Sequence, residues 1–193
     1  MNTFWKRRSL VIIGSAFFFC SPVALINYIV DPLWCFKHNV PIGRYQTAFD
    51  ERQQKTDYLA FRKTDIDTVI FGNSRVTYID VFAVPGKIFN YAVSSMKPYE
   101  FLPYLQFAAS QSTSSIKTVI LGLSFVDTNA AFDNCFDSPD KYIERATSWG
   151  FRYKSLLNLK LMYHSIDSIR REQRGNYHDA YIWEGVKIPT KRM

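Results

Sequence analysis

A chain of 193 residues, 47% hydrophobic and 17% aromatic, can bury a real core, which excludes the disordered class. Its length suits one soluble domain with attachments. The formal charge of +7 is uneven: Lys6, Arg7 and Arg8 carry three of those charges, and residues 141–193 hold 11 Lys and Arg against 5 Asp and Glu. That basic part fits either a solvated helix surface or a face turned to anionic lipid or polymer. No nucleic-acid motif occurs, so no nucleic acid partner is expected.

In chain order, residues 1–8 are a basic flank and Ser9–Val30, "SLVIIGSAFFFCSPVALINYIV", is a 22-residue run without a formal charge. About 20 such residues cross the hydrocarbon of a bilayer as a helix. With the cations before it and only Asp31 close behind, the positive-inside bias keeps the N-terminus in the cytoplasm and exports the rest. The run is longer than the ~7–15 residues of a cleaved leader's apolar region and lacks a small-residue cleavage site. It therefore reads as an uncleaved signal anchor in the inner (cytoplasmic) membrane, with the lipid bilayer as its partner and cleavage as the alternative. Cys20 follows three phenylalanines, too bulky a context for lipid modification.

Residues 31–63 read as a connector rich in turn residues (Pro32, Pro41, Gly43), then a helix within residues 46–63 whose Arg52 and Lys55 are expected to be solvated. Cys35 and Cys135 fall on the exported side, where they could pair. The histidines (His38, His164, His178) form no i,i+4 pair and no Cys-x-x-Cys occurs, so no metal and no cofactor are expected.

From residue 64 onward strands alternate with helix. Three apolar runs, 67–71, 87–91 and 117–123, are expected as parallel strands with the first in the middle; the first and third read as buried on both faces. A helix opens at Pro98, with Phe101, Leu105 and Ala109 on one face. This is βαβ order, so a right-handed, doubly wound parallel sheet is expected. "SLLNLKLMYHSIDSIRRE" reads as one amphipathic helix, with Leu156, Leu159, Met162 or Tyr163, Ile166 and Ile169 on its apolar face. No convincing strand follows residue 145.

In such sheets the loops at the carboxyl ends of the strands form the site. "DTVIFGNSRV" ends one strand with Gly72 for a sharp turn, Asn73 to brace the loop, Ser74 near the next helical start and Arg75 to line an anionic cleft or pair locally. On chemistry alone Ser74 reads first as an N-cap, and Asn90 equally as a loop brace or a substrate contact.

"VIFGNSR", "IFNYAVSS" and "VILGLSF" together resemble the first half of an SGNH (GDSL-like) hydrolase domain. With the N-terminal span and Asp31-Pro32 after it, the chain resembles membrane-anchored bacterial envelope proteins of that kind. The resemblance covers roughly residues 1–130 and implies a flavodoxin-like sheet, incomplete here, within residues 64–193. It implies Ser74 as nucleophile, Asn90–Ser95 as the loop giving an oxyanion-hole N–H, Ser94 included, and Ser124 where the family has an oxyanion-binding asparagine. The family's late Asp-x-x-His has no counterpart, which leaves His178, and less so His164, as the candidate base. The implied activity is acyl or acetyl ester hydrolysis or transfer on an envelope polysaccharide or similar polymer. The alternative is a non-catalytic, membrane-tethered domain that binds a glycan or a membrane partner protein.

Overall fold

The computed structural model describes residues 3–36, 42, 45–62, 64–129, 136–176, 180–181 and 186. Cys135 and His178 lie outside the described residues. The long helix α1, Thr3–Val30, contains the apolar stretch Arg8–Val30, 23 residues long, which is mostly exposed until Asn27 and Val30 are buried near its end. A helix of that length and composition can cross a membrane, and Pro22 lies inside it.

After a short strand β1 (Gln46–Thr47) comes α2 (Glu51–Phe61), started by Asp50, whose side chain accepts from the Gln53 N–H. Strands β2 (Thr68–Gly72), β3 (Ile88–Asn90) and β4 (Thr118–Gly122) form a parallel sheet in the order β3-β2-β4. Two 3-10 turns, Val76–Tyr78 and Val81–Ala83, connect β2 to β3. Helix α3 (Pro98–Gln111) carries the chain from β3 across to β4. The middle place of residues 67–71 and the all-parallel pairing agree with the βαβ reading. The chain is thus α/β with three parallel strands among the described residues.

One face of the sheet holds the main core. Val69 and Phe71 of β2, Phe89 of β3 and Tyr91 just beyond it pack against Leu59 of α2 and Tyr104, Phe107 and Ala108 of α3. Ala109, expected on that inner face, is exposed, because the buried stripe of α3 runs through Glu100, Tyr104 and Phe107. The opposite face is thinner, with Ile70, Val81 and Ile88 as its centre.

β4 departs from its expected double burial. Val119 is 40% and Leu121 50% exposed, because β4 is an edge whose faces no described helix covers. Apolar composition alone cannot separate a central strand from an uncovered edge.

A larger correction concerns α2. Arg52, Gln53, Gln54, Lys55, Thr56 and Asp57 are all buried, where Arg52 and Lys55 were expected in solvent. Burying a cation is unfavourable unless it is paired and hydrogen-bonded. Arg52 meets Glu100 of α3 through two nitrogens at 2.9 and 3.0 Å, and Lys55 Nζ donates to the Ala92 carbonyl. Thr56 Oγ1 and the Tyr91 hydroxyl lie 2.8 Å apart.

The later part is helical: α4 (Phe125–Thr128), α5 (Pro139–Thr147), α6 (Phe151–Leu156) and α7 (Leu159–Gln173). The single amphipathic helix expected over residues 155–172 is broken at Asn158, whose side chain caps α7 by accepting from the Lys160 and Leu161 N–H groups. Its buried line is Leu161, Ser165 and Ser168, while Leu159 and Tyr163 point outward. Small serines let α7 approach α1, where Ser165 Oγ donates to Asn27 Oδ1 at 3.0 Å. A two-residue strand, β5 (Ala180–Tyr181), pairs antiparallel with β1, although no strand was expected after residue 145. Two residues give too short a pattern to be read from sequence.

At the exit of α1, Asp31 takes the left-handed conformation (φ 50°) and its carboxylate accepts from the Cys35 and Phe36 N–H groups at 2.7 and 2.8 Å. Cys35 is a buried free thiol that donates to Asp57. Burial raises the Asp31 carboxyl from its ordinary value of 3.8 to about 7, against the pull of those two N–H groups and Arg62. Burial likewise raises Asp57 well above the usual carboxyl range. Both groups hold protons more tightly folded than unfolded. The stability they contribute is therefore fully present below 3.8 and, for Asp31, lost as pH rises through about 7. The urea midpoint of the detergent-solubilised chain should fall over this range more steeply than that of the Asp31→Asn, Asp57→Asn double variant. In the same assay Arg52→Ala, which strands the Glu100 carboxylate in the core, should cost about 3–5 kcal/mol.

Candidate functional site

The carboxyl ends of the three parallel strands lie side by side, and small backbone elements bring them close. A side chain at Gly72 would lie 2.8 Å from the Gly122 carbonyl oxygen and 2.6 Å from a Val76 methyl. Val76 also fills the space where a Gly122 side chain would stand. The two strand-end glycines therefore permit the close approach of the β2 and β4 termini around Val76.

Asn73 braces this junction. Its Oδ1 accepts from the Arg75 N–H at 3.0 Å, and its Nδ2 donates to Asp127 Oδ2 at 2.6 Å and to Ser124 Oγ at 3.1 Å. Ser124 Oγ donates to the same Asp127 oxygen at 2.6 Å. Asp127 was not singled out from the sequence, although Ser124-x-x-Asp127 has the spacing of a capping box at a helix start.

Asn90, fully buried, ties β3 to the turn beyond β2. Its Nδ2 donates to the Val76 carbonyl at 2.9 Å and its Oδ1 accepts from the Ala92 N–H at 3.0 Å. The loop-bracing role accounts for both ends of the amide.

Ser74 projects from the apex of the β2 turn and is exposed, as is Arg75. Its carbonyl accepts from Thr77 Oγ1 at 2.6 Å, while its hydroxyl makes no hydrogen bond among the described residues. The following 3-10 turn has Arg75 at its N-cap and no side-chain capping bond. Ser74 is thus not held as a helix cap, and its oxygen is open to an incoming group.

The β3 loop is built differently from the expected oxyanion cradle. The Ser94 N–H and hydroxyl both donate to the Glu51 carboxylate, at 2.6 and 3.0 Å. Arg52 donates to the Ser94 carbonyl at 3.0 Å. An internal carboxylate therefore occupies both donors of Ser94, from the N-terminal turn of α2, where acidic residues are favoured. Glu51, Arg52, Phe49 and Ser94 line a small cleft of about 240 Å³ there. Glu51 and Arg52 carry no sequence signal that separates them from an exposed helix start.

Of the base candidates, His178 lies outside the described residues and His164 is engaged elsewhere. His164 stacks on Phe49 with ring centres 4.0 Å apart, and burial followed by nearby Lys160 lowers its pKa. Among the described residues no group of three His, Cys, Asp or Glu side chains is arranged to hold a metal ion. The strand-end loops thus combine one open hydroxyl with a braced Asn–Ser–Asp cluster and a Ser94–Glu51 pair. No family model matches the chain, and neither a curated protein nor a solved structure matches it.

Because the Ser74 hydroxyl makes no bond among the described residues and the Asn90 side-chain amide makes two, their alanine variants should separate. Ser74→Ala should leave the denaturation midpoint unchanged, where loss of a true cap would cost about 1 kcal/mol. Asn90→Ala should lower stability by about 1–3 kcal/mol by leaving buried polar groups unpaired.

Proposed function

We propose that this chain is a membrane-anchored, SGNH-hydrolase-like envelope domain that presents Ser74 for acyl or acetyl ester chemistry on a cell-envelope polymer. The observation that carries the reading is the position of Ser74: exposed, its hydroxyl unbonded among the described residues, and at the carboxyl end of the middle strand of a parallel sheet. That is the place where α/β sheets assemble their sites. The motif order in the sequence adds the SGNH assignment, and α1 supplies the anchor, with the domain on the extracytoplasmic side.

In this reading Ser74 Oγ attacks an ester carbonyl and holds the acyl group until water or an acceptor hydroxyl removes it. A serine hydroxyl is a weak nucleophile until a base takes its proton, and such a base is worth about 100-fold to 10,000-fold. No described side chain is bonded to Ser74 in that role. The donor that would stabilise an oxyanion is the Ser74 N–H, since Asn73 takes the Arg75 and Val76 N–H groups and Glu51 takes the donors of Ser94.

A second reading is a non-catalytic domain that binds a glycan or a membrane partner protein through the same strand-end face. The bond between Glu51 and the Ser94 donors favours it, because that pair closes the loop that an oxyanion would use.

The two readings separate on fluorophosphonate labelling and p-nitrophenyl acetate hydrolysis by the full chain in detergent. Slow labelling that Ser74→Ala abolishes, with hydrolysis showing no histidine-like rise near neutral pH, is the expected result for the esterase reading. Labelling equal in wild type and Ser74→Ala would leave only the binding reading.

A further inference from the structure

The apolar surface beside α1 continues onto the folded domain. Asn27, 2% exposed, lies three residues before the end of α1 and donates through Nδ2 to the Leu156 and Asn158 carbonyls at 2.9 and 3.0 Å. The Leu156 carbonyl ends α6 and has no partner within that helix, while the Asn158 carbonyl, at the N-cap of α7, also accepts from the Met162 N–H at 3.0 Å. With Ser165 Oγ bonded to Asn27 Oδ1, the α6–α7 turn is fixed at one level along the membrane helix.

That level lies inside the apolar stretch. Leu156 and Leu157 form one wall of a groove of about 720 Å³ whose other wall is α1, from Phe17 through Cys20 and Ala24 to Tyr28. Ala24 stands six residues before Val30, about 9 Å along a helix axis at ~1.5 Å per residue. A hydrocarbon layer about 30 Å thick needs nearly the whole of Arg8–Val30 to cross it, so the groove falls within that layer. Non-helical backbone is tolerated at such depth only where its polar groups are satisfied, and Asn27 does this for the turn.

The surroundings have the chemistry of a membrane boundary. Leu157 lines the groove and is exposed, as are Leu159 and Tyr163 of α7, Tyr153 of α6 and Trp149 in the turn before α6. Nearer the domain, Arg145, Lys154 and Lys160 line a cleft of about 410 Å³ that also includes Leu33, just beyond the end of α1. Its lining holds three cations against one carboxylate, Asp50. Apolar side chains at hydrocarbon depth, aromatic residues beside them and cations at the level where α1 ends match the order of acyl chains, interface and anionic headgroups.

We propose that the α6–α7 turn is a second membrane contact, a wedge centred on Leu156 and Leu157 that enters the leaflet beside α1 and lays the domain on an anionic lipid surface. The inference rests on α1 being a membrane anchor and extends it from a tether to a docked domain. A flexibly tethered domain would sample many orientations; this one is held in a single orientation by Asn27 and the wedge together.

The test uses the full chain reconstituted into vesicles of phosphatidylcholine and phosphatidylglycerol. The photo-crosslinking residue p-benzoylphenylalanine replaces Phe18 on α1, Leu157 on the turn, or Leu102, exposed on α3, in separate preparations. Lipid adducts found by mass spectrometry at 18 and 157 and absent at 102 are the expected result. Adduct at 18 with none at 157, or only protein adduct at 157, overturns the wedge and leaves the anchor standing. No lipid adduct at 18 removes the anchor reading itself and the wedge with it. Equal adduct at all three positions overturns the wedge by showing that lipid contact is not confined to it.

Discussion

The arrangement depends on a charged helix being buried. α2 carries Arg52, Lys55 and Asp57 into the interior, and each must find a partner there because an isolated ion in a low-dielectric surrounding is strongly disfavoured. Arg52 finds Glu100 on α3, and the same Glu100 accepts from the Lys97 N–H at the start of that helix. Lys55 finds a carbonyl beyond β3, and Asp57 finds Gln53 and Cys35. These bonds need defined positions for α3, the β3 loop and the exit of α1. One helix thereby sets the place of three other parts of the chain.

That constraint shapes the strand-end face. Glu51, one residue before Arg52, holds Ser94, while Arg52 holds the Ser94 carbonyl. The loop after β3 is clamped by the start of α2 and is not a free anion-binding loop. The loop after β2 is braced from the other side, by Asn90 through Val76 and by Asp127 through Asn73. Ser74 stands between two well-satisfied networks and belongs to neither. A residue left exposed and unbonded in such a setting is available for contact with something outside the chain, which is why the functional reading centres on it.

The exit of α1 links this interior to the long apolar helix. Asp31 and Asp57, both with carboxyls raised by burial, face Cys35 and the turn at Trp34. Asn27, a few residues earlier, does the same work for the α6–α7 turn. The polar groups near the end of the apolar helix are thus used internally, and the helix is joined to the domain at more than its last residue.

The sequence alone determined the apolar helix, the three parallel strands and the serine at the end of the middle one, because each rests on local chemistry. A long uncharged run, short β-branched runs and a Gly-Asn-Ser turn are legible wherever they occur. Tertiary structure decided the rest. It buried Arg52, whose partner Glu100 lies 48 positions away, left β4 as an uncovered edge despite its apolar composition, broke the late helix at Asn158, and gave the Ser94 donors to Glu51. In each case a residue's environment was set by a neighbour remote in sequence. Burial and hydrogen-bond satisfaction depend on what the fold brings opposite a side chain, a quantity that local periodicity does not contain.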